Sequence, residues 1–275
     1  MTAPTSAPTT RTVGLAHGLS VSIDEYGVNS DGSAVLLLHA GAGPRTIAGL
    51  AAALSEHAYV VVPTHPGFDG TPRPQWCDSV ADLAFAYLDL LDTLDLTKVL
   101  VIGNSVGGWT AAEMALRDTR GRIRALTLLN SVGIHAHLKK NHVVDPRTLA
   151  PAEVSKLSFA NAAFRPDFSS FSDEQRAAAA ANMQTLAIYG GDGFTYDPKL
   201  RGRLHRVTVP VLVAWGEHDG IAPLAYGRGY ADSFPNGHFA LIPEAGHFPH
   251  IEQLGRTLEA IGEFAGTVVK PDEAV

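Results

Sequence analysis

Several features are scarce in this sequence, and each scarcity excludes a class of protein. Cys77 is the single cysteine among 275 residues, so no disulfide can form within the chain, which fits a reducing compartment. No apolar run approaches the roughly 18 residues that a membrane-spanning helix needs. Residues 1–10 are rich in threonine, proline and alanine and lack the apolar core of a signal peptide. We therefore expect a cytoplasmic protein without a membrane partner.

Basic residues are also few, and they form no long run. The 21 lysines and arginines, set against 28 aspartates and glutamates, give a net charge of −7 with histidine neutral. Nucleic acids and anionic membrane surfaces bind positively charged surfaces, so we expect neither as a partner. Apolar residues, by contrast, make up 45% of the chain, which is enough for a large core.

Short apolar runs alternate with helical patterns along most of the chain. Nearly continuous apolar runs are typical of strands that are covered on both faces. The predicted strands are residues 34–38, 58–62, 99–102, 123–129, 209–215 and 241–242, and the predicted helices are residues 47–56, 79–94, 108–117 and 251–264. This alternation predicts an α/β fold with a mostly parallel, doubly wound sheet. Residues 19–26 alternate polar and apolar positions and indicate an edge hairpin with the residues before them.

The alternation stops between residues 133 and 206. Ser172 and Gln175 have the spacing of a capping box before an alanine-rich stretch, which predicts a helix there. We expect a mostly helical lid in this region, inserted after the sixth strand. The predicted units are an α/β core, the lid and two flexible termini: residues 12–132 with 207–268, residues 133–206, and residues 1–11 with 269–275.

Ser105 lies in the most informative motif of the chain, Gly103-Asn104-Ser105-Val106-Gly107. The motif joins an apolar run to a helical stretch, which is the setting of a nucleophile elbow. A turn this tight strains the serine backbone and leaves no room for side chains two positions to either side. The helix that follows directs free N–H groups at the serine. Ser105 is therefore the candidate nucleophile.

A nucleophilic serine needs a base to take its proton and hydrogen-bond donors to hold the oxyanion. Asp219 follows the predicted strand 209–215, and His247 follows the predicted strand 241–242. Active sites of open α/β sheets lie at the carboxyl ends of strands. The chain order Ser105, Asp219, His247 therefore predicts a catalytic triad. The blander interpretations are a turn-forming aspartate and a loop-packing histidine.

These motifs resemble the serine-nucleophile branch of the α/β-hydrolase fold family, over about residues 19–264 apart from the lid. The elbow, the acid loop Gly-Glu-His-Asp and the closing Ala-Gly-His are typical of that family. The run His39-Ala40-Gly41-Ala42-Gly43-Pro44 resembles its His-Gly-X-Gly-Pro oxyanion loop, with alanine where glycine is usual. The resemblance implies that the main-chain N–H groups of Gly41 and Val106 hold the oxyanion. The run Pro66-Gly67-Phe68-Asp69-Gly70 resembles another loop of the family, with an aspartate inserted.

Other polar residues have blander interpretations. His39 is expected to support its loop by hydrogen bonding, and His250 to pack or to start the closing helix. Three histidines stand close together in the lid: His135, His137 and His142. No cysteine or suitably spaced carboxylate accompanies them, so we expect neither a metal nor a cofactor. Three further residues are expected to be structural, incidental or solvated: Asp69, Cys77 and Arg45.

Aromatic residues are candidates for lining the substrate pocket. Trp109 and Phe248 flank the candidate catalytic residues in sequence, and Phe164 and Phe168 belong to the lid. Further candidates in the lid are Phe171, Tyr189, Phe194 and Tyr196. Half or more of these lid residues are expected simply to bind the lid to the core.

Serine at the elbow excludes the dehalogenase and epoxide-hydrolase chemistry of related enzymes, which place aspartate there. Our first hypothesis is a hydrolase of small or medium carboxylic esters that acts through an acyl-enzyme.

The second hypothesis is a carbon–carbon bond hydrolase of vinylogous diketones. The Gly-Asn-Ser-X-Gly-Gly elbow resembles that subgroup, although its members usually have tryptophan where this chain has Phe248. The third is a non-catalytic binder of a small ligand, against which an intact triad argues. Neither the substrate nor the oligomeric state follows from the sequence.

Overall fold

The computed structural model describes residues 7–29, 34–135, 143–193 and 195–268. Its strands are β1 (Thr9–Gly14), β2 (Ser20–Tyr26), β3 (Ala34–Leu38), β4 (Tyr59–Pro63), β5 (Val99–Asn104), β6 (Ile123–Leu129), β7 (Gly133–Ile134), β8 (Tyr196–Asp197), β9 (Val211–Gly216) and β10 (Gly237–Ile242). Its α-helices are α1 (Ala48–Leu54), α2 (Val80–Thr93), α3 (Val106–Arg117), α4 (Pro151–Ser158), α5 (Asp173–Gly190), α6 (Leu224–Ala231), α7 (Pro249–Glu252) and α8 (Leu254–Val268).

An eight-stranded sheet forms the centre of the molecule, in the order β1-β2-β4-β3-β5-β6-β9-β10. The pairs β1–β2 and β2–β4 are antiparallel, and the remaining neighbours are parallel. Parallel neighbours place their carboxyl ends at the same edge of the sheet. The predicted α/β class with a mostly parallel, doubly wound sheet is confirmed.

Apolar side chains cover both faces of this sheet, because successive residues of a strand point to opposite faces. In β5, Val99 and Val101 pack in one core cluster with residues of α2, α3 and α6. Leu100 and Ile102 pack in a second cluster with residues of α1 and α8. A strand that is buried on both faces reads as a continuous apolar run, which is why the central strands were predicted correctly.

The edges of the fold differ from the prediction. β10 begins at Gly237, four residues before the predicted start; this edge strand is only partly buried, and its apolar run is confined to its last four residues. The closing helix is divided at Gln253, whose φ of −136° and ψ of 55° are not helical.

At the other edge of the sheet, β1 begins at Thr9, so residues 9–11 are not the flexible terminus that was predicted. They pair with β2 through the backbone, and Arg11 also forms an ion pair with Glu25 at 2.6 Å. Residues 269–275 lie outside the described ranges.

Residues 133–206, which we call the insertion, connect β6 to β9. The described parts of the insertion contain α4, α5 and a two-stranded parallel sheet of β7 and β8, whose strands are too short to leave a sequence pattern. α5 begins with the predicted capping box, in which Ser172 Oγ accepts from Gln175 N and Gln175 Oε1 accepts from Ser172 N. Across the described ranges, no helix combines the length and the apolar character needed to cross a bilayer.

Candidate active site

Ser105 lies at the junction of β5 and α3, with φ 55° and ψ −117°. A residue with a side chain rarely adopts a positive φ, so this backbone is strained. A Cβ on Gly103 would overlap the carbonyl of Gly107, and a Cβ on Gly107 would overlap the carbonyl of Leu38. Glycine is therefore required on both sides of the turn, as the sequence indicated. The turn holds Ser105 at the carboxyl edge of the sheet and at the N-terminus of α3.

Asn104 connects the elbow to the loop that carries His247. Its Nδ2 donates to the main-chain oxygens of Leu129, at 2.9 Å, and His247, at 3.1 Å. Ser105 N also donates to Leu129 O, at 3.0 Å. The elbow and the histidine loop are therefore fixed beside each other, although Asn104 and His247 are 143 positions apart in the chain.

Asp219 and His247 contact each other directly in the protein interior. His247 Nδ1 and Asp219 Oδ2 are 2.9 Å apart, and His247 is only 4% exposed. Since the carboxylate oxygen accepts, Nδ1 carries the proton, and Nε2 of the neutral ring is left as an acceptor. Asp219 Oδ1 accepts from the main-chain N–H groups of Ile221, at 2.8 Å, and Ala222, at 3.0 Å. The aspartate therefore shapes its own turn and also orients the histidine.

Asn130 is a further contact of Asp219 that sequence reasoning missed. Its Nδ2 donates to Asp219 Oδ2 at 2.7 Å, and its Oδ1 accepts from Gly216 N at 3.1 Å. Asn130 is fully buried and has a positive φ of 44°. The signal was present, because a polar residue directly follows the apolar run of β6, at the strand end where site residues concentrate.

His39, two residues before Gly41, belongs to a buried network of neutral groups. His39 Nδ1 donates to Ala40 O at 2.7 Å, and His39 Nε2 accepts from the main-chain N–H of His65 at 3.0 Å. His65 Nε2 in turn donates to His39 O at 2.9 Å, and the Tyr87 hydroxyl donates to His65 Nδ1. Each ring therefore has one defined tautomer, and the ring centroids are 3.8 Å apart.

Burial keeps both of these imidazoles uncharged. Loss of hydration lowers the pKa of His39 to about 4. Burial also lowers the pKa of His65 well below 6.5, and repulsion from His39 lowers it further. His39 thus supports the loop of Gly41 by hydrogen bonding, as expected. The roles of His65 and Tyr87 depend on contacts between distant parts of the chain and could not be inferred from sequence.

Ala40, where the family usually has glycine, packs its methyl group in a small apolar cluster with Phe159 and Phe248. The rings of Phe159 and Phe248 stack with centroids 5.2 Å apart. Phe248 also meets the ring of His247 edge to face, at 5.4 Å. The cluster joins the loop of Gly41, the insertion and the histidine loop. Phe159, which was not among the predicted pocket residues, therefore contacts the residues that follow His39 and His247 in the chain.

Glu252 binds the histidine loop to the end of α4. Its Oε2 accepts from Gly246 N at 2.6 Å, and its Oε1 accepts from Asn161 N at 2.7 Å. His247 N also donates to Ser158 O, at 2.7 Å. Because Glu252 is only 8% exposed, a buried carboxylate holds the loop of His247 against the insertion.

The predicted pocket residues have different environments. Trp109 is 4% exposed and belongs to the main core, where it contacts Gly133 so closely that a Cβ there would overlap the indole. Phe164 is 41% exposed on a short turn that the Asn161 side chain caps, and its place in the pocket stays a prediction. Phe168 packs against Phe171, with ring centroids 5.2 Å apart, and its role stays a prediction.

The remaining polar candidates lie apart from this site or support it. His250 is buried and donates from Nε2 to Thr46 O at 3.1 Å, and burial lowers its pKa to about 4, which agrees with the expected packing role. Arg45 is exposed. Cys77 is buried, and burial raises the pKa of its thiol. Three predicted residues lie outside the described ranges: His137, His142 and Phe194. Within those ranges, no group of three histidine, cysteine or acidic side chains could hold a metal ion.

The sheet, the strained serine and the buried aspartate–histidine pair define a hydrolase with the α/β-hydrolase fold. The chain belongs to the alpha/beta hydrolase family, whose family model matches residues 35–260. That match extends from the second residue of β3 into α8 and therefore includes every candidate site residue named above.

Full-length relatives include enzymes and solved structures. The 2-hydroxy-6-oxo-2,4-heptadienoate hydrolase of Pseudomonas putida is 26% identical over 276 residues, which cover 91% of this chain and 94% of the relative. A serine hydrolase involved in carbazole degradation is 25% identical with a TM-score of 0.73, covering 95% of this chain and all of that one. A thermophilic esterase from Thermogutta terrifontis shares the fold at 21% identity, with a TM-score of 0.70 and coverage of 96% and 99%.

Proposed function

We propose that this protein hydrolyses a small or medium carboxylic ester, with Ser105 as nucleophile, His247 as base and Asp219 as the residue that orients the base. The observation that carries the proposal is the buried 2.9 Å contact between His247 Nδ1 and Asp219 Oδ2, beside a strained serine at a helix N-terminus. A loop-packing histidine would not need a carboxylate that is itself held by several donors.

In the proposed reaction, His247 Nε2 takes the proton of Ser105 Oγ while Oγ attacks the ester carbonyl carbon. Asp219 stabilises the positive charge that forms on the imidazole. The tetrahedral intermediate then collapses, and His247 returns the proton to the leaving alcohol. Water, activated by His247 in the same way, hydrolyses the acyl-enzyme and releases the acid.

The main-chain N–H groups of Gly41 and Val106 are the proposed donors to the oxyanion. Val106 is the first residue of α3, where N–H groups have no acceptor within the helix. The ring of His39 donates a hydrogen bond to the carbonyl oxygen of Ala40, the residue before Gly41, which supports a fixed position for that loop. Removal of one such donor typically lowers kcat by about 10²–10³.

A second candidate is hydrolysis of a carbon–carbon bond in a vinylogous diketone. The observation that favours it is the full-length similarity to the Pseudomonas putida hydrolase of 2-hydroxy-6-oxo-2,4-heptadienoate. Phe248 argues for the ester, since the resemblance to that subgroup predicts tryptophan after the catalytic histidine. The two reactions share the nucleophile and differ in the substrate.

One set of assays tests the proposal. We expect p-nitrophenyl esters of short acyl chains to release p-nitrophenol with a burst, and Ser105→Ala to abolish the release. Ser233→Ala is the matched control, because the Ser233 hydroxyl donates to Gly229 O at the end of α6. Loss of the absorbance of a 2-hydroxy-6-oxo-dienoate without any ester turnover would select the second candidate. Saturable binding of a small ligand with neither reaction would replace both with a binding function.

A further inference from the structure

Helix α5 of the insertion lies directly on the loop of Gly41. Leu186 is the contact, because a Cβ on Gly41 would overlap its Cδ2 and would lie 3.3 Å from both Cδ1 and Cγ. The side chain of Leu186 therefore occupies the space that a side chain at position 41 would fill. Leu186 is only partly buried, although it packs on the main core.

A hydrogen-bonded pair fixes α5 at this position. Asn182 Oδ1 accepts from Asp69 N at 2.8 Å, and Asn182 Nδ2 donates to Asp69 Oδ1 at 2.7 Å. Asn182 is only 5% exposed, and Asp69 has a positive φ of 48°. Both groups also approach Gly43, since a Cβ there would lie 3.1 Å from Asn182 Nδ2 and 3.3 Å from Asp69 Oδ1.

Two further bonds from the same side of α5 reach the residues before Asp69. Thr185 Oγ1 donates to Gly67 O at 3.0 Å, and the Tyr189 hydroxyl donates to Pro66 O at 2.7 Å. The positions 182, 185, 186 and 189 follow helical spacing, so one face of α5 holds the loop 66–70 and the loop of Gly41 together. The backbone of α5 at Leu186 cannot move away from Gly41 without breaking this set of hydrogen bonds.

We propose that Leu186 sets the size of the acyl group that the site accepts, and that the Asp69–Asn182 pair holds Leu186 in place. The inference rests on the proposed ester hydrolysis with Gly41 as an oxyanion donor. A substrate carbonyl that binds the Gly41 N–H lies within reach of Leu186, and in this proposal its acyl carbons occupy that side. The leucine methyl groups then limit the length and branching of the acyl group by steric contact alone.

The decisive experiment compares Leu186→Ala with Ile188→Ala, an aliphatic control on the same helix whose side chain is exposed. The readout is the ratio of kcat/KM for p-nitrophenyl hexanoate to kcat/KM for the acetate. We expect Leu186→Ala to raise this ratio by about tenfold or more, the usual effect of a few methylene-sized changes in an apolar pocket. Leu186→Phe should lower the ratio, and Ile188→Ala should leave it as in the wild type. Equal ratios in all four proteins would overturn the role of Leu186.

The rate at which alkyl fluorophosphonates modify the protein gives the same comparison without ester turnover. We expect the ratio of hexyl to methyl probe rates to rise in Leu186→Ala and to stay constant in Ile188→Ala. If the wild type reacts with neither esters nor probes, the proposed function fails, and this inference fails with it. If the wild type reacts through Ser105 but the ratios do not change, only the role of Leu186 fails.

The positioning role of the pair is tested by an exchange. Asn182→Asp keeps the shape of the side chain but faces Asp69 with a second carboxylate, so we expect the hexanoate-to-acetate ratio to rise as α5 shifts. The double variant Asp69→Asn/Asn182→Asp restores a donor opposite an acceptor and should return the ratio to the wild-type value. A double variant that behaves like Asn182→Asp, with unchanged thermal unfolding in both, would contradict the positioning role.

Discussion

On the His247 side of the site, two buried carboxylates accept hydrogen bonds from several donors: Asp219 orients the imidazole, and Glu252 holds the loop around it. On the Gly41 side, the hydrogen bonds around His39 join uncharged groups only. Two neutral imidazoles and a phenol bond one another in fixed tautomers instead. The difference matches the chemistry proposed for each side. In the proposed reaction, positive charge develops on the His247 ring and needs a carboxylate nearby, whereas the proposed donors of the oxyanion loop need only a rigid backbone.

The largest expected effect is the fall in kcat when Asp219, the carboxylate that contacts His247, loses its charge. In Asp219→Asn, a neutral amide faces the imidazole, which favours the wrong tautomer and leaves the developing charge without a partner. We expect kcat for ester hydrolysis to fall by about 10⁴, with KM changed little. Steady-state kinetics with p-nitrophenyl acetate measure this. Retention of more than a tenth of the wild-type kcat would remove Asp219 from the mechanism.

Acid should lower the stability of the fold, because the buried imidazoles of His39 and His65 on the Gly41 side are neutral in the folded protein. The folded pKa of His39, about 4, lies below its unfolded pKa of about 6.5, so the unfolded chain binds more protons between these values. The contribution of His39 is complete above about pH 6.5 and is lost as the pH falls towards 4. We expect a loss of about 2 kcal/mol at pH 5 from His39, with a further loss from His65.

Urea unfolding at pH 7.5 and pH 5 measures this change in the free energy of unfolding. His250 lies outside the His39 network and also has a pKa lowered to about 4, so it adds to the total loss. The difference between wild type and His250→Gln across the two pH values gives its share. Equal stability of the wild type at both pH values would show that the buried imidazoles do not titrate as described.

A matched pair of single substitutions sharpens the comparison between the two sides. Tyr87→Phe leaves His65 Nδ1 without a donor, and Glu252→Gln leaves a buried main-chain N–H facing an amide. We expect each to lower the free energy of unfolding by about 1–3 kcal/mol. Glu252→Gln should also lower kcat, because it loosens the loop of His247. If Tyr87→Phe lowers kcat more than Glu252→Gln does, the assignment of the two sides is wrong.

The smallest effect is expected at an ion pair remote from both sides. Arg11 and Glu25 join β1 to β2 at 2.6 Å, and this pair lowers the pKa of Glu25. Arg11 is exposed and water screens its charge, so Arg11→Ala should cost less than about 1 kcal/mol and leave kcat unchanged. Thermal unfolding and ester kinetics together provide this baseline.

Those parts of the molecule that could be predicted from sequence share one property, namely that the signal is local. The central strands are continuous apolar runs, and Ser105, Asp219 and His247 each follow such a run in the order that the fold requires. Residues whose role depends on pairing across the chain could not be predicted. Asn182 and Asp69 are 113 positions apart, and nothing near either one indicates the other.

The phenylalanines of the insertion illustrate the same difference. Composition marks the phenylalanines of the insertion as equivalent, but only the fold decides which one faces the site. Phe159 directly follows α4 and stacks on Phe248, whereas Phe164 lies on an exposed turn five residues later. Local pattern thus points to the candidate catalytic residues at the strand ends, and tertiary packing determines which residues surround them.

The most direct test of the central claim is the mass of the intact protein after incubation with an alkyl fluorophosphonate, followed by peptide mapping. The proposed role of Ser105 predicts one adduct per chain, on Ser105, that forms more slowly in Asp219→Asn and is absent from Ser105→Ala. A wild-type protein that stays unmodified, or an adduct that persists in Ser105→Ala, would contradict it.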